Sequence, residues 1–231
     1  MSHHEHGQEH GDNHNKKIHK CPTEGENYDS PQIISKANET ANIIKNQELI
    51  KLTKDSIILD FGAGTGLIGL NFINQVKKVI FEDVSKPMLD YLEYKLENKG
   101  IKNYTIFNGI IEDFNTTEKI DLITAGMVLH HVEDLQSVFN KFIQLLKPKG
   151  FLVVTDLRKN APMFSIGEHM HNHNHKHVMP HKGFEPEELC QKMKKAGFVT
   201  TEVIRISSIN FKEPSGKETI SERFMIVAQG P

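Results

Sequence analysis

Ile57-Ile58-Leu59-Asp60-Phe61-Gly62-Ala63-Gly64-Thr65-Gly66 decides how this chain is read. A short apolar run ends in an acid and then in three glycines at alternate positions. The pattern predicts a buried parallel strand that turns sharply into a helix over about 66–75. Glycines let the backbone make such a turn and let a ligand approach it closely. A helix beginning there would offer its free N–H groups to a negatively charged group. The segment is therefore expected to hold a nucleotide-type ligand.

Three ligand chemistries compete for such a loop. A phosphate-cradling ATPase loop needs Gly-Lys-Ser/Thr at its end, and none follows Gly66. A dinucleotide fingerprint is literally present in Gly64-Thr65-Gly66-Leu67-Ile68-Gly69, with Asp83 as the downstream acid. The third pattern, Asp-x-Gly-x-Gly-x-Gly, is carried by Asp60 through Gly66. Downstream, Lys78 to Asp83 reads as a second strand ending in an acid. Val84-Ser85-Lys86-Pro87-Met88-Leu89 then opens a helix, with Ser85 placed as N-cap and Pro87 in the first turn. Ile120 to Gly126, Val128-Leu129-His130-His131-Val132, Leu145 to Asp156, and Gly183 to Phe198 follow in order.

This ordered set resembles the class I S-adenosylmethionine-dependent methyltransferases of the small-molecule type, over roughly residues 28–228. The resemblance implies an α/β fold: a doubly wound, mostly parallel seven-stranded sheet with a C-terminal antiparallel hairpin, the Rossmann-like methyltransferase fold. It implies that Asp83 takes both ribose hydroxyls of S-adenosylmethionine. It further implies cofactor contacts from Asp60, Gly62, Ala63, Gly64, Gly66, Val84, Met88 and Ala125, with Tyr28 lying over the cofactor. One departure stands out. Ile110 occupies the place after strand three where the family usually carries an acid, so adenine packing is expected from Ile111 and backbone groups.

Strands and helices alternate along the body. Strands are predicted near 56–61, 78–82, 104–107, 120–125 and 150–156, with helices at 86–99 and 134–147 between them. Alternation of this kind gives right-handed crossovers and a doubly wound sheet. Ser30 to Leu52 has apolar residues at helical spacing. A helix at 185–196 precedes strands near 199–207 and 222–228. A short loop containing Pro214, Ser215 and Gly216 is expected to join these two as an antiparallel hairpin.

At 231 residues the chain fits one α/β domain over 26–231, preceded by a polar, histidine-rich tail over 1–25 that is expected to be disordered. Residues 157–184 read as a histidine-rich lid insertion. The formal net charge is −2, from 28 Lys and Arg against 30 Asp and Glu, with no basic block. That argues against a nucleic-acid ligand. Two distant cysteines, Cys21 and Cys190, give neither a disulfide framework nor a zinc knuckle. No apolar run approaches the ~18 residues of a membrane span, and no secretory segment opens the chain. A soluble cytoplasmic protein without membrane partners is expected, and the oligomeric state is left open.

Histidines gather in three places. His130 and His131 follow strand four, where an acceptor would enter, so either is a candidate general base. Adjacent histidines also cap helices and fill loops. His171, His173 and His175 alternate along a chain segment that emerges at the same sheet face, a spacing suited to zinc or nickel. A low-complexity solvated loop explains them as well. The expected function is methyl transfer from S-adenosylmethionine to a small-molecule acceptor. A non-catalytic metal-handling protein on the same fold, or a nicotinamide-dependent oxidoreductase, are the alternatives.

Overall fold

The computed structural model describes residues 23–164, 179–212 and 215–231. The tail over 1–22 and the histidines His171, His173 and His175 lie outside the described residues. Seven strands form one sheet: β1 (Ile57–Phe61), β2 (Lys78–Asp83), β3 (Tyr104–Asn108), β4 (Ile120–Gly126), β5 (Leu146–Leu157), β6 (Thr200–Arg205) and, last in the chain, β9 (Arg223–Gln229). Their spatial order is β3-β2-β1-β4-β5-β9-β6. The first five run parallel. Strand β9 lies antiparallel to β5 on one side and to β6 on the other, pairing Leu152 with Ala228 and Val203 with Ile226.

Alternation within each central strand sends side chains to opposite faces. From β1, Leu59 and Phe61 join one core layer and Ile58 joins the other. The first layer is covered by α4 (Leu135–Leu145) and α5 (Pro186–Ala196). In α4, Leu135, Val138, Phe139, Phe142 and Leu145 fall on one stripe and are buried. Each such side chain contributes roughly 1.5–3 kcal/mol relative to exposure. Asp134 caps α4 by accepting from the Gln136 and Ser137 N–H groups at 3.0 Å each. Helix α5 stops at Gly197, whose φ of 117° suits a residue without Cβ. The second layer is covered by α2 (Pro31–Lys45) and α3 (Lys86–Asn98), through Ala41, Ile44, Leu89, Leu92 and Leu96. A short α1 (Thr23–Tyr28) precedes them.

Three expectations are corrected. The segment after the glycines is not an α-helix over 66–75; it holds only a 3-10 turn at Gly69–Asn71. Side chains take the bonds a helix would use. Asp60 Oδ2 accepts the Gly69 N–H at 2.8 Å, and the Asn71 side chain donates to the Leu67 carbonyl at 2.9 Å. Helix α2 ends at Lys45, short of Leu52, because the chain turns at Asn46, whose N–H still reaches back to Asn42. Between β6 and β9 the chain makes no short loop. It forms its own two-stranded ribbon, β7 (Ile209–Lys212) and β8 (Glu218–Ser221), paired antiparallel. Residues Ser215 and Gly216 sit at the ribbon's turn, while 213–214 lie outside the described residues.

Candidate functional site

Open α/β sheets bind ligands in the crevice outside the carboxyl ends of their strands, and the glycine loop lies there, at the ends of β1 and β2. Gly62, Gly64 and Gly66 all have positive φ, of 60°, 53° and 78°. Their surroundings differ. A Cβ on Gly62 would sit 2.1 Å from Val128 Cγ2, and one on Gly66 would sit 2.5 Å from Leu92 Cδ1. Those two glycines let the loop pack against the protein. A Cβ on Gly64 would meet nothing within 4 Å. Gly64 therefore presents bare backbone to open space, a cradle that a side chain would fill.

Three carboxylates support this loop. Asp60 is buried, with Thr124 Oγ1 donating to Oδ1 at 2.6 Å and the Gly69 N–H donating to Oδ2. Burial pushes its pKa up to about 7, against those two hydrogen bonds and with help from the Asp83 charge. Asp60 thus braces the loop from below. Glu82, also buried, accepts the Gly62 N–H at 3.1 Å, and burial pushes its pKa up to about 8. Asp83 accepts the Gly64 N–H on Oδ2 and the Ser85 N–H on Oδ1, both at 2.7 Å. Each oxygen keeps a lone pair free. Ser85 is the N-cap of α3, but its hydroxyl makes no capping bond; Asp83 takes the Ser85 N–H instead.

The crevice walls come from neighbouring loops. The Asn108 side chain donates to the Asp83 and Val84 carbonyls at 3.0 Å each, tying the loop after β3 to the end of β2. Two apolar side chains on these tied loops face solvent: Val84 is 68% exposed and Ile110 is 52% exposed. Ile111, expected to pack on a ligand, is instead 1% exposed and belongs to the core. Ile110 is the apolar surface at that point. Ala63 donates its N–H to the Glu82 carbonyl at 2.8 Å, Met88 is half-buried in the first turn of α3, and Ala125 is buried at the end of β4.

From the N-terminal side, Asp29 joins two elements. Thr65 Oγ1 donates to Asp29 Oδ1 at 2.5 Å, and Lys95 Nζ pairs with Asp29 Oδ2 at 2.6 Å. This anchors the end of α1 between the glycine loop and α3. Tyr28 keeps 41% of its surface exposed, yet burial of its hydroxyl and the Asp83 and Asp29 charges raise its pKa. Tyr28 and Asp83 therefore share one side of the crevice.

The opposite side is built from β4, β5 and the segment before α5. Met127 has φ of 57°, uncommon for a side chain of its size, and donates its N–H to the Thr155 carbonyl at 2.7 Å. The turn that follows places His130 against the end of β5. His130 is buried, and its Nδ1 lies 2.8 Å from Asp156 Oδ1. The His130 N–H donates to Asp156 Oδ2 at 3.3 Å. A carboxylate accepts only, so Nδ1 carries the proton when the ring is neutral and Nε2 holds the lone pair. His131 is exposed, its ring 4.2 Å from that of His130. Asp156, Glu82 and the Asp29 clamp were not singled out from sequence. Asp156 offered a signal as an acid closing an apolar strand, but its partner lies 26 residues away. No group of three or more His, Cys, Asp or Glu that could hold a metal occurs among the described residues.

Residues 52–209 match the family described as "Methyltransferase domain". The chain belongs to the class I S-adenosylmethionine-dependent methyltransferases. Among relatives of this methyltransferase, an uncharacterized methyltransferase of Schizosaccharomyces pombe is 32% identical over 163 residues, covering 66% of this chain and 57% of that protein. A ubiquinone biosynthesis O-methyltransferase of Rickettsia bellii is 29% identical over 114 residues, or 49% of this chain and 47% of that one. The methyltransferase chain thus spans about half the length of the curated relatives it matches. Of solved structures, the YcgJ protein from Bacillus subtilis superposes with a TM-score of 0.66 at 15% identity, covering 84% of this chain and 98% of that chain. Phosphoethanolamine N-methyltransferase 2 of Haemonchus contortus, in complex with S-adenosyl-L-methionine, gives a TM-score of 0.66 at 15% identity, over 84% of this chain and 52% of that chain. At such identities the likeness is one of fold.

Proposed function

We propose that this methyltransferase binds S-adenosylmethionine across the Gly64 cradle and moves its methyl group to a small-molecule acceptor entering beside His130. The observation that carries this reading is the pair of features facing one crevice. One is a glycine loop with open space before Gly64 and Asp83 beneath its N–H. The other is a histidine on the far wall whose Nδ1 is held by Asp156. The donor set fits a nucleoside: Asp83 retains two acceptor sites for a vicinal diol, and Val84 and Ile110 offer apolar surface for a base.

When bound, S-adenosylmethionine would supply an electrophilic methyl group on a sulfonium centre, with a neutral thioether as leaving group. The residues of the chain do the rest. Asp83 orients, and Gly62, Ala63, Gly64 and Gly66 let the backbone come close. Tyr28 and Met88 line the bound cofactor, while Ala125, whose side chain is core like that of Ile111, borders it through the main chain at the end of β4. Asp60 and Glu82, whose carboxyls burial pushes up to about 7 and 8, brace the loop from below. His130 takes the acceptor's proton on Nε2 as the new bond to carbon forms, and Asp156 stabilises the resulting imidazolium. His131 borders the entrance.

The near-neutral charge supports a small molecule over a nucleic acid. Among the described residues no helix is long and apolar enough to cross a membrane, and we place the enzyme in the cytoplasm as part of this reading. The domain reading, with a tail over 1–25, a catalytic body over 26–231 and a lid over 157–184, belongs to it too, as does a zinc or nickel site at His171, His173 and His175, which rests on their spacing alone. Calorimetric titration of the full chain with S-adenosylmethionine, S-adenosylhomocysteine, nicotinamide dinucleotide and zinc tests the assignment. Binding of the first two and not the third is expected; the reverse would sink it.

A further inference from the structure

One buried polar atom near the acceptor wall has no use in the mechanism above. His181 Nε2 is shielded from solvent and has no hydrogen-bond partner among the described residues. Most buried polar groups are paired, and each exception calls for a cause. His181 is not held there by accident of a loose loop. Its backbone N–H donates to the His130 carbonyl at 3.3 Å. The residues that follow are stitched to the end of β5: Asn160 N–H to Lys182 carbonyl at 2.8 Å, Phe184 N–H to Leu157 carbonyl at 3.0 Å, and Lys159 N–H to Phe184 carbonyl at 3.0 Å. Gly183 makes this approach possible. Its φ is 81°, and a Cβ there would sit 2.2 Å from the Arg158 carbonyl oxygen. The ring of Phe184 lies 5.1 Å from the His181 ring and fixes it from the core side.

The surroundings define a chemistry. Met127, Met163 and Met179, all partly buried, pack with Leu157, Ala161 and Phe164 into a small apolar cluster separate from the two main core layers. Phe164 also meets the His130 ring edge-on, centroids 5.2 Å apart. Thioethers and an aromatic ring make a polarisable, adaptable wall that favours a flat aromatic guest. The His130 imidazole, clamped by Asp156, meets this cluster through Phe164, and the His181 N–H on the His130 carbonyl brings the residue with the unpartnered imidazole next to it.

We propose that His181 recognises the methyl acceptor, its Nε2 hydrogen-bonding a hydroxyl borne on an aromatic ring that lies against the methionine wall. The inference rests on the methyl-transfer reading and deepens it by assigning the acceptor class. His181 binds and positions the ring, and the proton leaves to His130. A phenol suits both duties, since its oxygen accepts from His181 Nε2–H while its own O–H donates to His130 Nε2, which takes the proton.

Three isosteres separate the possibilities: p-cresol, p-toluidine and toluene, differing only in hydroxyl, amine or nothing. Each is titrated into the full chain saturated with S-adenosylhomocysteine, whose own binding is measured first. Absence of that first binding removes the methyl-transfer reading, and this inference with it. With S-adenosylhomocysteine bound, p-cresol is expected to bind about ten-fold tighter than toluene, the worth of one hydrogen bond. In His181→Leu and His181→Asn that preference should shrink in Leu and be partly kept in Asn, with S-adenosylhomocysteine affinity unchanged in both. The 15N resonance of His181 Nε2, assigned by its loss in the variants, should move with p-cresol and not with toluene. Equal binding of p-cresol and toluene overturns the inference, since Nε2 then serves a buried water only. Preference for p-toluidine overturns the hydroxyl assignment, and an unaltered p-cresol preference in His181→Leu removes His181 from recognition.

Discussion

The two walls of the crevice are made differently. On the β1–β2 side, acids hold backbone amides: Glu82 takes Gly62, Asp83 takes Gly64 and Asp60 takes Gly69. Each contact runs from a carboxylate to a main-chain N–H, two of them reaching from β2 across to the loop after β1, and the surface offered to a ligand is mostly main chain. On the β4–β5 side, side chains from distant segments meet: His130 with Asp156, His181 against His130, and three methionines around Phe164. A main-chain wall is insensitive to side-chain replacement outside its glycines and acids, so it suits a ligand common to many enzymes. A side-chain wall changes with each substitution and suits a ligand that differs from one enzyme to the next.

That division can be broken or sharpened by mutation. The largest effect should come from His130→Ala. Loss of a general base lowers kcat by roughly 10²–10⁴-fold, while the affinity for S-adenosylhomocysteine, read by calorimetry, should stay within about two-fold, below the worth of a single hydrogen bond. A matching collapse of cofactor affinity would erase the distinction between the walls. Next comes Asp83→Ala, expected to weaken cofactor binding by about 1.5–3 kcal/mol, the range for hydrogen bonds to a charged group. Unchanged affinity in a folded variant would remove Asp83 from the ribose.

The glycines give a paired test of smaller size. Gly66→Ala forces a Cβ onto Leu92 and a strained φ, and should lower stability by about 2 kcal/mol in urea denaturation. Gly64→Ala carries only the φ strain, about 1 kcal/mol, yet it should lose more cofactor affinity than Gly66→Ala does. If the order of the two binding losses reverses, Gly64 is not the ligand cradle.

The smallest effect is in pH. Asp60 and Glu82 have folded pKa values raised from 3.8 and 4.5 to about 7 and 8. The folded state therefore binds more protons than the unfolded state between about pH 4 and 8. Stability from these groups is fully present below their unfolded values and is lost as pH rises through the folded ones. Between pH 7 and 8 Glu82 accounts for about 1 kcal/mol of that loss. Glu82→Gln should flatten the stability profile over that unit, and an unaltered slope would show that Glu82 is ionised throughout.

The contrast between the walls also explains what was legible in the sequence. Glycines at alternate positions, an acid after a strand and a Pro-led helix are local signals, and they located β1, β2, α3 and Asp83. Helical spacing likewise located α4 and α5. The failures share a cause: a side chain acting over distance or against local preference. Residues 66–75 have helical apolar spacing, but Asp60 and Asn71 capture the bonds that a helix needs. Ile209, Asn210, Phe211 and Lys212 alternate with a period of two, which is the mark of the ribbon strand they form, but four residues beside a Pro-Ser-Gly turn signal are too few to stand out from a loop. Ile110 and Ile111 are adjacent and chemically equal, so only the backbone's direction decides which one is core. His130 was visible as a candidate, whereas Asp156 and His181, which give it a tautomer and a neighbour, are joined to it by topology alone.

The sheet order sets a schedule for synthesis. Strand β9 lies between β5 and β6, although β6 is made first. On the ribosome, α5 and β6 emerge while their place at the sheet's edge does not yet exist, and β5 waits with one side unpaired. Helix α2, made much earlier, is also waiting: Glu39 pairs with Arg223 at 2.6 Å, and Ser207 links to both. Addition of residues 223–229 therefore fills the gap in the sheet and latches α2 in one step. A nascent chain paused before Arg223 exposes the β5 edge and is the species most prone to pair with another chain.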